Sequence, residues 1–165
     1  MERSEFGATR TSCGCERCRI NCRHMPGFLI PADLDRLVPL TAADPLKFAE
    51  QALLASPGAL VMKDGELFRI PTLVPATNND GSCIHLTADG QCAIHANAPF
   101  GCAFFDCGLE RPGLAQKALM AVHRDWHNGG VYSLIWRYLN AKGRTQLPPE
   151  VLRARITAAL EGSTT

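Results

Sequence analysis

Along the second half of the chain, apolar positions recur with helical period. Leu114 to Asn128 is one such window, and Val131 to Ala141 is a second, carrying Leu134, Trp136, Tyr138 and Leu139. Gly129-Gly130 separates the two. Pro148-Pro149 opens a last helix with Val151, Leu152, Ile156 and Leu160 on one side. Toward the N-terminus the patterns are shorter. Pro31 to Leu37 predicts a short helix with proline in its first turn. Asp44-Pro45 predicts an N-cap followed by proline at the first helical position. Leu46, Ala49, Leu53 and Leu54 then follow at helical spacing, and Ser56-Pro57-Gly58 ends that helix. Ala59 to Lys63 and Glu66 to Ile70 predict two paired strands around Asp64-Gly65, a strong two-residue hairpin signal. Asn78-Asn79-Asp80-Gly81 and Asp89-Gly90 mark turns in a loop-like stretch.

Together these elements predict an α+β fold. An N-terminal cysteine loop leads into two short helices, a β-hairpin, a cysteine-rich loop and a helical C-terminal part. The expected organisation is a flexible N-terminus over residues 1–12, a cysteine-cluster domain over 13–110, and C-terminal helices over 111–165 packed on the same domain. No repeat or long low-complexity tract interrupts it.

A chain of 165 residues can bury a real core. A formal net charge of +1 gives no bulk attraction to nucleic acid or anionic lipid. The first dozen residues hold no apolar run of the signal-peptide kind, and no stretch approaches the roughly 20 apolar residues a membrane span needs. A cytoplasmic location follows as an expectation, and there thiols stay reduced. The eight cysteines, about 5% of the chain, fall below the roughly 8–10% of small disulfide scaffolds.

Those cysteines form two groups, Cys13, Cys15, Cys18 and Cys22, then Cys83, Cys92, Cys102 and Cys107. Thiolates are soft ligands that suit zinc and iron–sulfur iron. Cys15-x2-Cys18 lets two sulfurs converge on one centre, and Cys18-x3-Cys22 places two on one face of a helical turn. Cys13 and Cys15 are so close that they face either one tight turn or two different centres. The wider gaps of the second group close loops, so binding there couples to folding. All eight cysteines are therefore candidate metal ligands, and the expected cofactor is Zn2+ or an iron–sulfur cluster. Ligands from both groups are expected to share a centre, with Cys15 and Cys18 on one side and Cys92 and Cys102 on the other.

Three sharper motifs fail. The radical-SAM spacing C-x3-C-x2-C is reversed in Cys15-x2-Cys18-x3-Cys22. The bacterial ferredoxin run has one more residue in its first gap, and Arg23 stands at its proline. The paired C-x2-C knuckles of a zinc ribbon are missing from the second group.

Cys13-Gly14-Cys15-Glu16-Arg17-Cys18-Arg19-Ile20-Asn21-Cys22, followed by Phe28 to Leu34, resembles the first half of the YkgJ-like cysteine-cluster family. That family is described as a zinc- or iron-chelating domain of CxxCxxCC type. Cys83-Ile84-His85-Leu86 and Cys92-Ala93-Ile94-His95-Ala96-Asn97-Ala98-Pro99-Phe100-Gly101-Cys102 resemble its second half, C-x-I-Y-x-x-R-P-x-x-C-R. The resemblance covers about residues 13–107. The adjacent cysteine pair is split into Cys18 and Cys22, His95 stands at the family's tyrosine, and Ala98 and Ala103 stand at its arginines. Metal binding is what the resemblance implies. The family includes a flagellin lysine N-methylase, but methyl transfer does not follow from a shared domain alone.

Three function classes follow: a metal-binding domain without catalysis, a metalloenzyme using the cluster for redox or methyl-transfer chemistry, and a thiol redox protein. A closed all-cysteine site favours the first, and an open position beside a pocket favours the second. Further candidates are weaker. His123-x3-His127 is metal-capable, but histidines near Trp126 more often pack or cap a helix. His85 and His95 could each replace a cysteine as ligand, His24 adjoins Cys22, and Asp106 beside Cys107 is a candidate acid. Trp136, Tyr138 and Leu139 read as core. No phosphate-binding loop, nucleophile elbow or dinucleotide fingerprint is present.

Overall fold

A computed structural model describes residues 15–38, 43–104 and 113–162. The expected flexible N-terminus, Cys13, Asp106 and Cys107 lie outside these residues. Among the described residues the fold is α+β, with seven short helices and one two-stranded antiparallel hairpin. The order is α1 (Glu16–His24), α2 (Leu34–Leu37), α3 (Pro45–Ala52), β1 (Leu53–Lys63), β2 (Glu66–Pro75), α4 (Phe100–Ala103), α5 (Leu114–His127), α6 (Val131–Ala141) and α7 (Pro149–Gly162). None of these helices is long and apolar enough to cross a membrane.

The N-terminal cysteine stretch is a helix, α1, rather than a loop from Glu16 onward. Glu16 in its first turn and Arg23 and His24 in its last match the helix dipole. In α3 the Asp44 side chain accepts a hydrogen bond from the Lys47 N–H at 3.0 Å, and Pro45 opens the helix as expected. The expected helix over Leu46–Leu54 ends early. Leu53 and Leu54 are the first residues of β1 and pair with Pro75 and Val74. Residues Ile70 to Pro75, mostly apolar, extend the partner strand further than expected, and pairing with it overrides helical periodicity.

Ser56-Pro57-Gly58 is a bulge within β1, not a helix stop, and the register shifts between Ser56 and Ala59. Pro57 needs no ladder hydrogen bond there. Gly58 is at φ +78°, and a Cβ on it would meet the Ile70 carbonyl oxygen. At the hairpin tip both Asp64 (φ 53°) and Gly65 (φ 83°) have positive φ, which a type I′ turn requires.

One apolar cluster joins the hairpin to the helices. Leu53, Ala55, Ile70 and Leu73 of the hairpin meet Leu119 and Val122 of α5, and Tyr132, Ile135 and Leu139 of α6. Trp136 and Tyr138 are half-buried against this cluster. The last helix is less buried than its pattern suggests, because only Leu152 is buried while Val151 and Leu160 stay exposed.

Tyr132 does more than fill space. Its hydroxyl donates to the Leu29 carbonyl at 2.8 Å and accepts from the Leu73 N–H at 2.6 Å. Beside it the Leu29 N–H donates to the Leu73 carbonyl at 2.8 Å. The segment after α1 is thus fastened to β2 through a phenol. Burial pushes that phenol far above its ordinary range, so it stays protonated and keeps donating.

The same segment touches α4. The Gly101 N–H donates to the Phe28 carbonyl at 2.8 Å, and the buried Asp33 carboxylate accepts from Ile30 at 3.0 Å and Phe100 at 2.7 Å. Backbones meet so closely that a Cβ on Gly27 would lie 2.2 Å from the Gly101 carbonyl carbon. A Cβ on Gly101 would lie 2.4 Å from the Phe28 nitrogen. Gly101→Ala is therefore expected to force the segments apart and to lower stability by about 1–3 kcal/mol. Equilibrium urea unfolding checks this, and an unchanged midpoint would refute it.

Candidate metal centre

The loop from Ala76 to Pro99 is organised by two miniature hairpins, and each delivers a cysteine. The first is closed by the Thr77–Cys83 bridge around a turn in which Asp80 accepts from the Ser82 N–H at 2.9 Å. The second is closed by the Leu86–Cys92 bridge, with the Thr87 N–H donating to the Gln91 carbonyl at 2.9 Å. Gly81 and Gly90 take positive φ in these turns, as the Asp-Gly signals anticipate. Cys102 comes from α4, which Asp33 and Phe28 hold in place. Cys22 comes from α1, and its carbonyl accepts from the Cys83 N–H at 2.9 Å. That bond ties the first cysteine group to the second.

Cys22, Cys83, Cys92 and Cys102 line one small cavity of about 10 Å³. Pro26, Pro75, His85, Leu86, Ile94 and Pro99 complete the wall. Two of the sulfurs already accept backbone N–H donors. Gly27 donates to the Cys102 sulfur at 3.2 Å, and the His85 N–H donates to the Cys83 sulfur. Such donors favour thiolates.

The Cys83 thiol is pushed up to about 11, chiefly by burial, with the His85 N–H opposing and the neighbouring Cys22 and Cys92 thiols adding to the rise. Burial raises Cys22 as well, with Cys92 adding to it. Cys102 is raised further still by burial and by the other three thiols. Left to themselves these groups are protonated thiols at neutral pH, because each negative charge would be both desolvated and repelled. A cation among them removes both penalties.

The remaining candidates are placed elsewhere. Cys15 is exposed at the N-terminal cap of α1. Cys18, half-buried, lines a wider cavity of about 670 Å³. From the first group the small cavity takes Cys22, whereas sequence spacing favoured Cys15 and Cys18. The wider cavity shares Cys22, Cys92 and Cys102 with the small one, and Arg19, Phe28, Thr72 and Gln146 form other parts of its wall. His95 lines it too. His123 and His127 stack on α5 at 5.6 Å, and His123 also packs on Phe68 at 5.6 Å.

Sequence reasoning missed Gly27 and Asp33. A glycine beside a proline near Cys22 was the available signal for the first, and an acidic residue at the start of the helix opened by Pro31 was the signal for the second. Among the described residues no three His, Cys, Asp or Glu side chains form a ready-made metal-holding group. The four thiols face a common space, and closing on an ion would require them to draw inward. By chemistry alone, four cysteine sulfurs are a donor set that a tetrahedral zinc ion would suit. Comparisons with protein-family models, with curated proteins and with solved structures find no match.

Proposed function

We propose that this chain is a metal-binding cysteine-cluster protein of reducing, cytoplasmic conditions, with zinc held by Cys22, Cys83, Cys92 and Cys102. One observation carries the reading. Four thiols drawn from both cysteine groups line one small cavity, and two of them accept backbone N–H donors. The resemblance to the YkgJ-like family supports it from the sequence side. Zinc, when bound, supplies the positive charge that lets the thiols ionise. The chain's own parts do the rest. The two miniature hairpins, α1 and α4 position the sulfurs, and prolines, Leu86 and Ile94 give them an apolar surround.

The wider cavity favours a second reading, a metalloenzyme. It reaches three of the four cysteines, so a small molecule within it would lie beside the centre. A thiol redox role is disfavoured by the raised Cys22, Cys83 and Cys102 thiols, which are poor nucleophiles when protonated.

Anaerobic purification from medium supplied with both zinc and iron, followed by metal and acid-labile sulfide analysis, tests the proposal. Stoichiometric zinc without sulfide is expected. Stoichiometric iron and sulfide would overturn the choice of zinc, and metal-free folded protein would overturn metal binding altogether.

A further inference from the structure

The ring of His85 has an unmet requirement. Its Nε2 is buried and has no hydrogen-bond partner. A buried polar nitrogen without a partner is costly, and native folds rarely leave one so. His85 is held in place through its backbone. Its N–H donates to the Cys83 sulfur, and its carbonyl accepts from the Ala93 N–H at 2.9 Å. His85 is also one of the residues that line the thiol cavity. The other wall residues are four cysteines, three prolines, a leucine and an isoleucine. Sulfur is therefore the only side-chain acceptor that wall offers.

We infer that, once the thiols close on an ion, His85 donates its Nε2–H to a cysteine sulfur of the metal centre, as a positioning residue rather than a ligand. This deepens the proposed zinc site and rests on it. A tetrahedral ion is satisfied by the four cysteines. Four thiolates around one Zn2+ leave two net negative charges inside the fold. Donors aimed at the sulfurs spread that charge, as Gly27 does at Cys102 and the His85 backbone does at Cys83. The imidazole adds a third donor, from a side chain whose position the second miniature hairpin fixes. Such outer partners set metal affinity by about 10- to 100-fold.

The test compares the parent chain with His85→Leu and His85→Gln. Zinc affinity is measured by competition with a chelator, and Co2+ is used as a spectroscopic probe in the same site. The Leu variant is expected to bind zinc about 10- to 100-fold more weakly. Its cobalt ligand-field and sulfur charge-transfer bands should keep the positions seen in the parent. The Gln variant keeps an N–H donor and should recover most of the affinity. Equal affinity in parent and Leu variant would overturn the inference. So would a Gln variant as weak as the Leu variant, a comparison that holds even if replacement by leucine disturbs folding. A cobalt spectrum that changes its ligand set on losing the imidazole would make His85 a ligand and also overturn it. Failure of the parent itself to bind either ion would remove the zinc site, a separate outcome seen before any variant is made.

Discussion

Replacing Cys102 by serine is expected to weaken zinc binding on the order of 100-fold or more, since losing an outer partner alone costs 10- to 100-fold and losing a ligand costs more. Cys102 is the thiol whose surroundings are most completely built. The Gly27 N–H reaches its sulfur at 3.2 Å, the Gly101 N–H holds its helix to Phe28 at 2.8 Å, and Asp33 holds the start of that helix through Phe100 at 2.7 Å. Serine would keep the backbone and its anchors but offer a hard oxygen in place of a soft sulfur. Cys15→Ser provides the contrast. Cys15 is exposed at the head of α1, outside the cavity wall, and its replacement should leave the affinity of this centre within about threefold. Chelator competition on the two variants separates the cases. Equal losses would mean that the four cavity thiols are not the site. If a second equivalent of metal survives in Cys102→Ser, the α1 stripe of Cys15 and Cys18 becomes its natural source.

Tyr132→Phe should destabilise the protein by about 2–4 kcal/mol, one of the largest effects available from removing a single atom. The lost oxygen serves two fully buried partners at once, the Leu73 N–H at 2.6 Å and the Leu29 carbonyl at 2.8 Å. Neither finds water in its place, because Leu29, Leu73 and the tyrosine are all without exposure. For the two backbone groups to bond directly, the Leu29 segment would have to close on β2 and carry Gly27 away from Cys102. Urea unfolding measures the loss. A change below about 0.5 kcal/mol would show that the backbone closes the gap at little cost. Zinc affinity measured on the same variant reports whether the centre moves with it.

Local chemistry made some of this legible in the sequence. Asp64-Gly65 has essentially one economical conformation between two strands, so the hairpin tip could be read from two residues. Val131 to Ala141 could be read because its helix is bounded by glycine and packs a continuous apolar face. The two-group layout of the cysteines pointed to a site joining distant parts of the chain, and Cys92 and Cys102 are on the cavity wall. Which cysteine of α1 faces inward could not be read, because Cys15, Cys18 and Cys22 all lie along one helical stripe. The choice is made by the bond between the Cys22 carbonyl and the Cys83 N–H, a contact with no local signature. Leu53 and Leu54 were misread for a related reason. Their spacing fits a helix, but the neighbour that converts them to strand is more than a dozen residues away. The approach of Gly27 to Gly101 is likewise invisible until the two segments are side by side.

The clasp between Leu29, Leu73 and Tyr132 bears on the order in which the molecule assembles. Cys22 and Cys83 are far apart along the chain, and bridging them in an unstructured polymer would carry the full entropy of closing that long loop. The clasp closes most of it beforehand, with hydrophobic burial and backbone hydrogen bonds supplying the driving force. What remains for an ion to tether is the short run from Cys22 to Leu29 and the run from Leu73 to Cys83. On the proposed zinc reading, ion capture is expected as a late, local event, so that chelation loosens the loop from Ala76 to Pro99 more than the apolar cluster of the hairpin, α5 and α6.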